Sequence, residues 1–451
     1  MQAAATSGGA VQRAVRSRPG DHRRAGLGML RVPWAQLWPP GRARGAGCRA
    51  RASSFEVLQE EVSRWAGEQW AEAELNVGPW VDGARPAPLA GVLAPASLAD
   101  AALSRFADVG GVRVHYARWD PKSGARGADA STGIVLHHGF NGWAFQWRHV
   151  GQRLADATGM PVIAIDRPPF GLTQRPRRGT GEDEDDVSAS GGGNGLAAVL
   201  SRGRTNPYCE MWAAEAGMRV AGEAEGFTSV VVCGHSAGAP VAMKAALLAA
   251  DRGRRAPAPA FQCPEVRGVG LLSPAMQLQG SSFLSRAPLT AQLRFLYLRQ
   301  VLETPGVNLH YVRRSVGRRS EGVKRGDGVP CWSAGGESLE EAIEGYLTPM
   351  RAEDWDLGFL NLLKSFQRNG DFPRAVLQAY DAAPILVLTG EFDRVVPAQS
   401  SVDLAALMPT AVPVVLKGVG HNPMEECPRE LVGAMAGFAD ACRTVRAVQG
   451  G

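Results

Sequence analysis

The sequence predicts an α/β fold in which a mostly parallel central sheet carries helices on both faces. Three observations predict it: short continuous apolar runs, helical periodicity between them, and a Gly-x-Ser-x-Gly turn joining one run to a helix. The runs are Ile134 to Leu136, Val162 to Ile165, Val230 to Cys233, Val269 to Leu272, Ile385 to Leu388 and Val414 to Leu416. Each is too short for a helix and lacks the alternation of a half-buried strand, as expected of strands buried on both faces. Val112 to Trp119 does alternate, with Val112, Val114 and Tyr116 on one face. Trp212, Ala216 and Val220 share a helical face, as do Leu431, Met435, Phe438 and Cys442.

This alternation starts near Phe106 and defines one domain over 106–447. Residues 53–105 read as an N-terminal helical extension and linker. Ser53 and Glu56 have capping-box spacing, Phe55, Leu58, Val62 and Trp65 recur at helical period, and a Pro/Gly/Ala-rich loop follows from about Gly78. Two stretches interrupt the domain. Residues 177–204 hold an acidic run and then Gly191, Gly192 and Gly193. No strand leads into these glycines and no Gly-Lys-Ser/Thr follows, so a low-complexity surface insertion is expected rather than a phosphate loop. Residues 276–380 are too long for a strand-to-strand connection and are expected to form an inserted helical lid.

Composition excludes several classes. Hydrophobic residues make up 45% and charged residues 21% of the 451 residues, as in ordinary soluble enzymes. No stretch approaches the roughly 18 to 20 apolar residues of a membrane span. The best window, Ala237 to Ala250, is interrupted by Lys244. The net charge of +5 is uneven, because residues 1–52 hold ten arginines and one acid, Asp21, leaving the remainder at −4. A nucleic-acid partner is therefore not expected. The basic segment has the acid-poor, Arg-rich character of an organellar transit peptide; composition does not separate chloroplast from mitochondrion, chloroplast being the favoured address, and an extension without an address is the competing reading. The seven cysteines show no CxxC spacing, so neither a disulfide framework nor a metal site is expected, and no cofactor motif is present. Peripheral membrane contact and oligomeric state stay open.

The chemistry centres on Gly234-His235-Ser236-Ala237-Gly238, directly after an apolar run and before a helix-forming one. A serine on so tight a strand-to-helix turn needs glycine on either side, and the helix that follows directs its dipole at a developing oxyanion. Among eight histidines, His22 lies in the tail, His115 on an early strand, His149 in a helix, and His310 in the lid. His137 and His138 fall in a loop where no third ligand is spaced to make a metal site. His421 alone follows a late strand, past Gly418 and Gly420, and is expected to be the base. Asp393, in Gly390-Glu391-Phe392-Asp393, is expected to orient it, with Glu391 as local competitor. The backbone N–H groups of Phe140 and Ala237 are expected to form the oxyanion hole.

His138-Gly139-Phe140, Asp166 to Leu172, the Ser236 motif, Gly390 to Asp393 and Gly420-His421 together resemble the α/β-hydrolase superfamily over about Phe106 to Ala447. Gln146 to Val150, Asn206-Pro207-Tyr208 and Pro423 to Pro428 are similar to plant and algal organellar members of its epoxide hydrolase/lipase-like group. Epoxide hydrolases and haloalkane dehalogenases of that group carry aspartate at the elbow. Ser236 stands there instead, which implies a serine hydrolase acting on a carboxylic ester or thioester as small-molecule substrate. A carbon–carbon bond hydrolase or a small-molecule receptor with an intact triad remain the alternatives. Phe283, Leu293, Phe295, Trp332, Trp355 and Phe359 suit either an apolar substrate part or packing of lid against core.

Overall fold

The computed structural model describes residues 93–122, 130–176, 195–254, 261–278, 339–369 and 372–449. The expected transit segment, the helix from Ser53, His310, Phe283, Leu293, Phe295 and Trp332 lie outside these residues.

Eight strands form one sheet: β1 (Ser104–Val109), β2 (Val112–Trp119), β3 (Thr132–His137), β4 (Val162–Ile165), β5 (Ser229–His235), β6 (Glu265–Leu272), β7 (Ile385–Gly390) and β8 (Ala411–Leu416). Their order is β1-β2-β4-β3-β5-β6-β7-β8. β2 is antiparallel to both its neighbours, and every pairing from β4 to β8 is parallel. The chain enters at β1, which the sequence pattern did not reveal. Its signal was Gly110-Gly111, both at positive φ (60° and 80°), the two-residue turn that suits a hairpin.

Ten helices are named in chain order: α1 (Gly151–Thr158), α2 (Leu196–Ser201), α3 (Glu210–Arg219), α4 (Ala239–Arg254), α5 (Leu339–Leu347), α6 (Trp355–Asn369), α7 (Arg374–Gln378), α8 (Ala398–Leu407), α9 (Pro423–Glu426) and α10 (Pro428–Gln449). Side chains alternate across the strands. Val135, Val230, Val232, Val269 and Val387 share one core with residues of α3, α4 and α8. The other face meets α1 and α10 so closely that a methyl on Gly268 would lie 2.5 Å from Cys442 Sγ, and one on Gly151 2.4 Å from the Trp119 ring. Burial on both faces is the reason β3 to β7 read as apolar runs, whereas the edge strand β8 is partly exposed along its length.

Four placements differ from those the sequence suggested. α2 falls inside the 177–204 stretch and buries Ala198, Val199 and Leu200, so the low-complexity character does not reach it. Phe372, Val376, Leu377 and Tyr380 belong to the main core, so the tail of the 276–380 stretch is part of the sheet domain rather than of a separate cover. His149 lies in the turn before α1, not in the helix, and His137 ends β3 rather than opening the loop.

Lys244, which interrupts the apolar window, is almost fully buried on α4 and paired with Glu210 of α3 at 2.7 Å. Its ammonium also donates to the Asn369 carbonyl at the end of α6 (3.2 Å) and lies 5.5 Å from the Phe372 ring centre. Removing one member of a buried pair strands the other. Lys244→Met is therefore expected to lower stability by about 3 kcal/mol in urea unfolding. An unchanged midpoint would show that the pair adds nothing.

Candidate active site

In open α/β sheets, ligands bind beyond the carboxyl ends of the strands where the strand order reverses. Here that point lies between β3 and β5, and both strands end in residues singled out by the sequence.

β5 runs into Ser236, whose φ is +50°, and a 3-10 turn over Ser236–Gly238 leads into α4. The glycines of the motif are sterically required. A methyl on Gly234 would lie 2.1 Å from the Gly238 carbonyl oxygen, and one on Gly238 2.5 Å from the carbonyl oxygens of both His137 and His138. The strained serine is thus held between two close backbone approaches. The Ala275 N–H donates to the Ser236 carbonyl (3.2 Å), so the loop after β6 anchors the turn from the other side.

β3 ends in His137 and passes to a β-turn, closed by the Gly142 N–H on the Gly139 carbonyl (3.2 Å), with Asn141 left-handed at φ 56°. The turn abuts the serine: a methyl on Gly139 would lie 3.2 Å from Ser236 Cβ. Phe140 therefore follows directly on the residue that abuts Ser236. Its ring meets Phe170 (5.4 Å) and Phe359 of α6 (5.8 Å), and Trp355 stacks on Phe359 (5.8 Å). Phe359 is buried with Tyr208 and Leu362, so packing accounts for it, while Trp355 is partly exposed at the edge of the cluster.

His421 follows β8, and Asp393 follows β7. Their loops interlock, because a methyl on Gly390 would lie 2.2 Å from the Gly420 carbonyl oxygen. The imidazole Nε2 is 3.0 Å from Ser236 Oγ, and Nδ1 is 2.8 Å from Asp393 Oδ2. Asp393 Oδ1 accepts the N–H groups of Val395 (2.9 Å) and Val396 (2.8 Å). All three side chains belong to buried residues. Glu391 is turned away: exposed, it accepts the Gly418 N–H (3.0 Å) and braces the loop. Glu426, which sequence reasoning missed, accepts the N–H groups on either side of His421, from Gly420 (2.6 Å) and Asn422 (2.9 Å). Its neighbour Glu425 takes Arg148 in a fork (2.7 and 2.9 Å) and the Tyr346 hydroxyl from α5 (2.6 Å).

A second serine–histidine–aspartate line exists. Ser104 Oγ lies 2.8 Å from His115 Nε2, and His115 Nδ1 lies 2.7 Å from Asp166 Oδ2. Asp166 is committed to structure, also accepting from Ala144 (2.6 Å) and Leu172 (2.9 Å). Ser104 opens an edge strand, with no strained turn and no helix behind it.

His137 and His138 are buried near Arg167, whose own pKa burial lowers to about 10. Burial, reinforced by neighbouring charge, lowers His137 to about 3 and His138 to about 4. Neither His137 nitrogen has a hydrogen-bond partner among the described residues, and no three potential metal ligands gather there. Both rings are neutral at pH 7, whereas in the unfolded chain they titrate near 6.5. Their contribution is present above pH 6.5 and is lost as pH falls toward 4 and 3. By pH 5, above the range of ordinary carboxylates, the loss is expected to be about 2 kcal/mol each. Urea midpoints from pH 7.5 to 5 should fall accordingly, and His137→Leu should flatten the slope; a flat wild-type profile would rule this out.

The strand order, with a serine on a left-handed turn at its reversal point, defines an α/β-hydrolase fold. The chain belongs to the alpha/beta hydrolase family, whose profile matches residues 134–434. A monoacylglycerol lipase of Mycolicibacterium smegmatis is 43% identical over 61 residues, 14% of this chain and 20% of that protein, so the chain matches only about a fifth of that curated relative. Among solved structures, the lipase candidate Lip1 of Acinetobacter baumannii AYE aligns with a TM-score of 0.50 at 17% identity, over 76% of this chain and 92% of that one. A bromoperoxidase from Bacillus anthracis aligns with a TM-score of 0.50 at 16% identity, over 75% and 99%. At these identities the structures speak to the fold alone. Among the described residues, no helix is long and apolar enough to cross a membrane.

Proposed function

We propose that the protein is a serine hydrolase of carboxylic esters or thioesters with an apolar acyl or alcohol part. The observation that carries this reading is the continuous line Asp393–His421–Ser236, with both outer contacts within hydrogen-bond distance and the serine on a strained turn. Asp393, fixed by two backbone N–H groups, holds the imidazole with its proton on Nδ1. Nε2 then takes the Ser236 proton as Oγ attacks the carbonyl carbon. The N–H groups of Phe140 and Ala237 stabilise the oxyanion, and His421 returns the proton to the leaving oxygen or sulfur. Water, deprotonated by the same imidazole, then releases the acid. The partly exposed Phe140 and Trp355 beside the turn support an apolar substrate part, and α5 and α6 support a lid over it. The local likeness to a monoacylglycerol lipase agrees with ester chemistry.

The test is turnover of p-nitrophenyl esters and matched thioesters of increasing acyl length by the full chain. Rising kcat/KM from acetyl to medium-chain acyl groups is expected. Absence of turnover on the whole series by folded protein would count against the reading.

A further inference from the structure

The elbow histidine, His235, lies between Gly234 and Ser236 and is buried. Its Nε2 is 2.8 Å from the backbone carbonyl of His421. A carbonyl only accepts, so Nε2 carries the proton and donates. Nδ1 of the neutral ring is then an acceptor, and it receives the side-chain amide N–H of Gln146 at 2.7 Å. That fixes the amide's orientation: its Oε1 faces the Gly139 N–H (3.3 Å), and its Nε2 also approaches Met424 Sδ (3.3 Å). Every polarity agrees, running Gly139 N–H to Gln146, Gln146 to His235, and His235 to the His421 carbonyl. Flipping the amide would set two donors against each other at Gly139 and two lone pairs against each other at His235.

We propose that Gln146 and His235 are positioning residues that lock the Gly139-Phe140 turn, the Ser236 elbow and the His421 loop into one register. This rests on the serine-hydrolase reading. The three segments are distant in sequence, and the chemistry tolerates little error: displacing a reacting group by about 1 Å can cost about 10²-fold. Apolar side chains of equal volume could fill the same space. A buried network with every polarity matched also fixes orientation. Gln146 is closely fitted, since a methyl on Gly142 would lie 2.2 Å from its Oε1.

The experiment compares wild type with Gln146→Met, His235→Phe and His235→Gln in the full chain. The readouts are kcat and KM on a soluble short-chain ester, the rate of fluorophosphonate labelling, and Tm. Gln146→Met keeps volume but removes both hydrogen-bonding ends. His235→Gln retains an N–H able to reach the His421 carbonyl, whereas His235→Phe does not. Gln146→Met and His235→Phe are expected to lower kcat and labelling about 10- to 100-fold, with KM within about threefold. His235→Gln is expected to recover most of the loss. Equal kcat in folded His235→Phe and wild type overturns the proposal, as do equal losses in the Phe and Gln variants that track Tm. A wild type that neither labels nor turns over ester removes the hydrolase reading itself, and the proposal falls with it. A labelled wild type with unaffected variants overturns the positioning role alone.

Discussion

Ser236→Ala is expected to abolish fluorophosphonate labelling and to lower ester turnover by about 10⁴-fold or more, since removing a nucleophile from an acyl-transfer triad leaves only binding and oxyanion stabilisation. The substitution deletes one buried hydroxyl, which lies 3.0 Å from His421 Nε2, so Tm should change little. The second line, Ser104–His115–Asp166, makes this prediction sharper. Its distances of 2.8 and 2.7 Å resemble those of the first. Distance alone would allow residual labelling at Ser104. What it lacks is the left-handed turn at a strand's carboxyl end, with a helix behind it and an oxyanion turn alongside. Peptide mapping of labelled protein should find Ser236 alone. Label on Ser104, or full labelling of Ser236→Ala, would refute the assignment.

Asp393→Asn is expected to reduce kcat by about 10⁴-fold with little change in KM. The reason lies in the backbone around the carboxylate. Val395 and Val396 present N–H groups to Oδ1. An asparagine must turn its oxygen toward these donors, which points its NH₂ at His421 Nδ1. The imidazole then accepts at Nδ1 and carries its proton on Nε2, where it cannot take the Ser236 proton. The variant should fold with wild-type stability and fail in chemistry, measured by steady-state turnover and by Tm. A loss below tenfold would mean that another group orients His421, and Glu391→Gln would be the next variant.

Much of the sheet could be read from the sequence because burial on both faces writes strands as plain apolar runs. β4 matches its predicted bounds, and β3, β5, β6, β7 and β8 extend theirs by a few residues. β1 was missed because it is a half-exposed edge strand whose polar positions dilute the pattern. α2 was hidden by the glycine-rich residues before it. The candidate triad was legible through chain order and punctuation by glycine. The sequence already favoured Asp393 over Glu391, and the structure turns Asp393 toward His421 and Glu391 toward the Gly418 N–H. Glu426, Gln146 and His235 could not be read as braces of the loops around the site, because nothing local to each residue marks what it faces. Lys244 read as a flaw in an apolar window, although its counter-charge on α3 was already in the chain.

Adjacent glutamates on α9 serve opposite masters. Glu426 grips the His421 loop from within, while Glu425 reaches outward to Arg148 and to Tyr346 of α5. Support of the His421 loop and the tie to α5 are therefore divided between two consecutive residues. Loss of Tyr346 from α5 would remove one Glu425 contact and leave both Glu426 contacts to the His421 loop in place. The same separation would let α5 be exchanged for another helix with every bond to the histidine loop kept.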